Sequence, residues 1–197
     1  MEHYQKEKLT IDIVKANVFT ILILIPISLL YVAPYYLLHK GDSTIINFKS
    51  FLESITINFG IAGIPLFILL ISAMGIIAHE LIHGIVWSRY SKRGLKSIKF
   101  GFLWKILTPY CHCKEPLLLK NYIIGVIMPA IILGLLPAIY AIIFGNLGFL
   151  IFGIFFTMVA GGDFLIINLL RNEERNSLVA DHPSEAGCYI YRIKKDK

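Results

Sequence analysis

Charge is what this 197-residue sequence has least of: Asp, Glu, Lys and Arg make up 16% of it, against 56% in the hydrophobic set. A soluble globular domain carries about 25% charged residues on roughly 45–50% apolar ones. The deficit is a shortage of surface to face water, and it excludes an ordinary soluble enzyme and a disordered chain. The mean hydropathy of +0.70 agrees. Cysteine is also scarce, three in the whole chain, which excludes a disulfide scaffold. Internal repeats and low-complexity linkers are missing too, so one membrane domain over 1–197 is expected.

Long apolar runs are abundant. Crossing roughly 30 Å of hydrocarbon at 1.5 Å per residue takes about 20 residues. Four segments qualify, at 17–38, 62–87, 122–144 and 148–170. The first contains Pro26 and Pro34, which membrane helices tolerate better than soluble ones. It is too long for a cleavable signal peptide, and no small-residue cleavage site follows it. The last two are separated only by Gly145, Asn146 and Leu147, a turn that predicts an antiparallel helical hairpin.

Basic residues outside these spans are unevenly placed. Three precede the first span, two lie between the first and second, eight between the second and third, and six after the fourth. Four spans therefore put 3 + 8 + 6 = 17 on one side and two on the other. The positive-inside rule assigns both termini and the middle segment, 89–120, to the cytosol, along with the tail, 171–197. Basic residues that flank membrane helices do not form one docking face for nucleic acid, so no nucleic-acid partner is expected. Within the middle segment, the weak alternation of Ser97 to Phe102 and the break at Thr108-Pro109 predict a β-hairpin at the cytosolic membrane face. The expected fold class is an all-α membrane protein of four transmembrane helices, with that small hairpin-like segment between helices 2 and 3. The polar tail has a turn at Asp181-His182-Pro183-Ser184 and a short strand at Cys188 to Ile193.

Ionisable residues inside a span are costly and mark function by default. Tyrosines aside, the spans hold four: His79, Glu80 and His83 in the second, and Asp163 in the fourth. Three of them form H-E-x-x-H. Residues i and i+4 share one helix face, so both imidazoles can reach a single metal ion. The intervening glutamate lies close enough to take a proton from a water that the ion polarises, without ligating the ion itself. Ala78 and Gly84 flank the motif and leave room for a neighbouring helix or a substrate backbone. The plainer alternative is a polar cluster hydrogen-bonded between helices.

A catalytic zinc has three protein ligands and an open position. His79 and His83 lie about 15 and 9 Å from the helix end at Arg89, and Asp163 lies about 12 Å from Arg171. The similar depth makes Asp163 the candidate third ligand, with a counter-ion to a protonated histidine as its other reading. Gly161-Gly162 would let that helix approach the second one closely. His182 is the alternative ligand, although its Asp-His-Pro-Ser setting looks first like a turn. Cys111-His112-Cys113 lacks the second half of a structural zinc site and is expected in a hairpin turn. Asn168 is expected to hydrogen-bond between helices.

Together, His79-Glu80-Leu81-Ile82-His83-Gly84 in a membrane helix, a cytosolic β-like segment and an aspartate in a later helix resemble the site-2 protease group of intramembrane metalloproteases. The sequence is still more similar to the putative zincin peptidase family of small bacterial integral-membrane proteins. That similarity adds the stretch from Cys111 to Leu117, Gly162-Asp163 and Asp181-His182-Pro183-Ser184. The resemblance implies zinc held by His79, His83 and Asp163, with Glu80 as base, and a multi-pass protein of the bacterial cell membrane. Asp163 departs from the site-2 pattern, since glycines precede it and Phe164 follows.

The expected function is a zinc-dependent integral-membrane peptidase, hydrolysing peptide bonds in or near the cytosolic side of the bilayer. Its partners would be the membrane and a membrane-protein or peptide substrate, with homo-oligomerisation left open. The alternative is a non-enzymatic membrane metal-binding or transport protein. Such a carrier has no need of Glu80 between the histidines, and four spans without an inverted repeat make a poor transporter. An inactive relative that sequesters membrane partners is a third reading.

Overall fold

The computed structural model describes residues 4–10, 13–40, 43–104, 108–182 and 187–194. In chain order they form strand β1 (Tyr4–Thr10) and helices α1 (Ile13–Leu38), α2 (Ser43–Phe59) and α3 (Gly63–Tyr90). A 3-10 turn (Gly94–Ser97) leads into strands β2 (Ile98–Leu103), β3 (Thr108–Cys113) and β4 (Leu117–Leu118). Helix α4 (Leu119–Pro129) runs through a π-helical turn (Ala130–Leu135) into α5 (Leu136–Phe144). Helices α6 (Leu147–Val159) and α7 (Gly161–Leu170) follow, then strands β5 (Leu178–Asp181) and β6 (Gly187–Ile193).

The chain is mostly helical, but it is not all-α. Among the described residues, three stretches are long and apolar enough to cross a membrane: Ile21–Leu38 in α1, all of α3, and Leu119–Phe144. The expected fourth span is two helices, α6 and α7, bent by 44° at the break between them. The segment read as the first loop contains α2, a 17-residue helix that carries Lys49 and Glu53. Those two charges pair at 3.8 Å with i,i+4 spacing.

The described residues fall into two compact units. One comprises Ile21–Ala78 and Ala130–Val159. Its core is a stripe of α1, Ile27, Tyr31 and Tyr35, against Ala138, Ala141 and Leu150. The Tyr35 hydroxyl donates to the Gly145 carbonyl at 3.0 Å, where α5 ends on a left-handed glycine (φ 70°). Helices α5 and α6 then pack antiparallel, as the Gly-Asn turn predicted. Small residues form their seam. A Cβ added to Gly153 would lie 2.7 Å from the Gly134 oxygen and 2.9 Å from the Ala138 nitrogen. Backbone atoms cannot step aside as a side chain can. Gly153→Ala should therefore destabilise the protein by about 1–3 kcal/mol, the usual range for overpacking, read as a fall in Tm in detergent. An unchanged Tm would contradict this packing.

The other unit comprises Met1–Thr20, His79–Pro129 and Ala160–Lys197. It holds a four-stranded antiparallel sheet in the order β1-β6-β5-β4 and a separate β2-β3 hairpin. The hairpin matches the expectation for the middle segment, whereas the sheet is larger than the single terminal strand read from the tail. In β6, Cys188 and Ile190 are buried and alternate with half-buried neighbours, the period of a strand with one face on a core. They pack with Val179, Leu117, Leu170 and Tyr122. Arg192 is held between Glu173 (2.7 Å) and Glu7, tying β6 to β1 and to the loop after α7. Strand β1 is mostly exposed and charged, so no apolar signal announced it. Of the expected tail turn, Asp181 ends β5, while Pro183 and Ser184 lie outside the described residues.

Candidate metal centre

Helix α3 is exposed on one side, at Ile77, Leu81 and Ile85, and buried on the other, at His79, His83 and Trp87. The buried three are spaced i, i+4 and i+8, so they lie on one stripe. Asp163 sits in the first turn of α7, where the unpaired backbone N–H groups favour a carboxylate. The break before α7 places it there. Gly162 is not needed for a close helix approach, as the sequence suggested: a Cβ added to it meets nothing within 4 Å.

His79 and His83 bring their Nε2 atoms to 3.1 Å from one another. His79 Nε2 lies 3.1 Å from Asp163 Oδ2, and His83 Nε2 lies 3.4 Å from Asp163 Oδ1. Among the described residues these three side chains are the one group of His, Cys, Asp and Glu close enough to share an ion. Four tetrahedral ligands at zinc's bond lengths are about 3.3 Å apart, close to all three separations. The close approach does not satisfy the atoms by itself. Asp163 Oδ2 and His79 Nδ1 are buried without a hydrogen bond, the former despite facing His79. A convergence of nitrogen and carboxylate donors around an unsatisfied oxygen fits zinc.

His83 Nδ1 lies 2.9 Å from the Gly125 carbonyl on α4. A carbonyl only accepts, so Nδ1 carries the proton and neutral His83 keeps its Nε2 lone pair for the centre. Gly125 serves this geometry in a second way. A Cβ there would lie 2.0 Å from Trp87 Nε1, and the Trp87 ring stacks on His83 at 5.0 Å with 14° between planes. Sequence reasoning missed Gly125, whose contribution is a backbone carbonyl. Trp87 was missed as well, although its spacing of four and eight residues from the histidines is a signal that could have found it.

Glu80 lies outside the convergent group and is half-buried. Its carboxylate takes a backbone hydrogen bond from Cys111 in β3, so the hairpin borders the centre. Gly84 makes room for this hairpin, with the position of an added Cβ 2.5 Å from Phe100 and 3.0 Å from Ile98. The sequence had assigned that space to a helix or a substrate.

Cys111-His112-Cys113 lies in strand β3, paired with Phe100, Lys99 and Ile98, and is not the expected turn. All three cysteines are free. Burial pushes the Cys113 thiol up to about 11 and that of Cys188 to about 12, the opposite of a thiolate ready to bind metal. His182 is absent from the convergent group, and its ring lies against Tyr189 at 4.9 Å. Asn168 is exposed and accepts from Arg171 at 3.0 Å, three residues along, so its bond is local and not interhelical.

No curated protein and no solved structure matches the chain. A family model described as "Putative zincin peptidase" matches residues 72–178, more than half of the sequence and including the whole H-E-x-x-H motif with Asp163. The chain belongs to that family.

Proposed function

We propose that this protein is a zinc-dependent integral-membrane peptidase of the site-2 type, cutting peptide bonds in or near the cytosolic side of the bilayer. The observation that carries the reading is the convergence of His79, His83 and Asp163 at 3.1–3.4 Å beside Glu80. Zinc held by these residues would polarise the scissile carbonyl and stabilise the charge that develops on its oxygen.

The chain's own residues supply the rest. Glu80, held by the Cys111 N–H, takes the proton of the attacking water and returns it to the leaving amine. His83 is fixed as the Nδ1–H tautomer by Gly125, and Asp163 adds negative charge that offsets the cation. The β2-β3 hairpin pairs with no other strand among the described residues. Its free edge would hold an extended substrate by β-augmentation, which matters because a helical segment must unwind before its carbonyls are open to attack. The 17-to-two division of basic residues supports a cytosolic face for the centre and both termini.

The direct test is a labelled membrane peptide incubated with the purified protein in bilayers. Cleavage that a chelator stops and zinc restores is the expected result. Metal binding with no cleavage across a varied panel of such peptides would favour the non-enzymatic reading.

A further inference from the structure

We infer that Asp181, at the end of β5, is a positioning residue that sets the orientation of His83 through Tyr122 and Trp87. This inference rests on the proposed metal centre.

Asp181 uses both oxygens. Oδ1 accepts from the Tyr122 hydroxyl at 2.6 Å, and Oδ2 accepts from the Cys113 backbone N–H at 2.8 Å. With both ends held, the carboxylate cannot turn, and the tyrosine hydroxyl has a fixed anchor. Tyr122 is buried and stacks on Trp87 at 5.3 Å with 12° between planes. Trp87 stacks in turn on His83, within 14° of parallel, and its Nε1–H donates to the Tyr122 carbonyl at 3.0 Å. The three near-parallel rings run from Tyr122 on α4, anchored to Asp181 of β5, to the centre.

This arrangement supplies what one hydrogen bond lacks. The bond from His83 Nδ1 to Gly125 fixes one point of the imidazole and its tautomer, but the ring can still tilt about that contact. A flat indole against its face removes the tilt. Trp87 can do this only if the indole is itself held, which is the part played by Tyr122 and, through it, Asp181. A ligand whose lone pair is misdirected binds metal less well, and partners one step behind the ligands change metal affinity by about 10–100-fold.

The experiment compares zinc affinity by chelator competition, and the visible absorption of the cobalt-loaded protein, for the parent, Tyr122→Phe, Asp181→Asn and the double variant. Tyr122→Phe keeps the ring and removes only the hydroxyl. Each single change should weaken binding by about 10-fold and shift the cobalt bands, and the double should be no weaker than the worse single. Parental affinity and spectrum in Tyr122→Phe, or losses that add in the double, would overturn the inference. A role in folding alone would lower Tm and leave the cobalt spectrum of the folded protein unmoved. Should Asp181→Asn fail to fold, Tyr122→Phe decides by itself. A parent that binds neither metal would instead reject the metal centre.

Discussion

Glu80→Gln should leave zinc content at the parental level and lower peptide cleavage by about 10²–10⁴-fold, the range that a positioned general base supplies. Glutamine keeps the size of the side chain and can still accept the Cys111 N–H that holds Glu80. It cannot accept a proton from water at neutral pH. Because Glu80 lies outside the convergent ligand group, its loss should not release metal. The pair of measurements separates chemistry from binding: metal by elemental analysis, turnover with the labelled peptide. Cleavage at the parental rate would remove Glu80 from the mechanism. Loss of zinc in this variant would make it a ligand instead.

Asp163→Ala should weaken zinc binding by about 10²-fold or more, and His182→Ala should leave it unchanged. Apparent binding energies of structural four-ligand sites run to about 10–16 kcal/mol, so one ligand carries on the order of 3 kcal/mol, which converts to roughly that factor. The Asp163 oxygens lie 3.1 and 3.4 Å from the two histidine nitrogens, whereas His182 rests against Tyr189. Removing the carboxylate also removes the negative charge that offsets the cation in a buried site. Chelator competition on the purified variants, with His79→Ala as the reference for a lost ligand, measures both. Parental affinity in Asp163→Ala together with a loss in His182→Ala would transfer the third ligand to the tail.

Some features of this protein were legible before any tertiary structure. Spans are visible in sequence because the bilayer demands a run of about 20 apolar residues, a requirement local to each helix. The metal motif is visible because i and i+4 share a face of any helix, whatever surrounds it. Asp163 stood out as a charge in an apolar stretch, although the structure sets it in the first turn of α7. The β2-β3 hairpin showed through its weak alternation, whereas Thr108-Pro109, read as a break, begins strand β3 opposite Leu103 and Phe102. Helix α2 escaped because its Lys49 and Glu53 made an ordinary amphipathic helix look like a loop between spans. The bend between α6 and α7 escaped because their residues are apolar throughout, and hydropathy does not register a change of direction.

The surroundings of the candidate ligands were decided only by the tertiary structure. Gly125 contributes a carbonyl, which every residue possesses, so its identity gave no hint that it would meet His83. Gly84 yields its space to Phe100 of the hairpin, and Cys111 offers Glu80 a backbone N–H that no pattern of side chains records. Asp181 looked like part of a turn, and only the pairing of β5 with β4 and β6 brings it to Tyr122 and Cys113. Composition and local period therefore determined the membrane-length apolar helices and the candidate ligands, since those depend on each segment's own length and hydropathy or on one helix face. How the candidate ligands are oriented depends on contacts between residues 35 to 68 positions apart, which only the folded chain brings together.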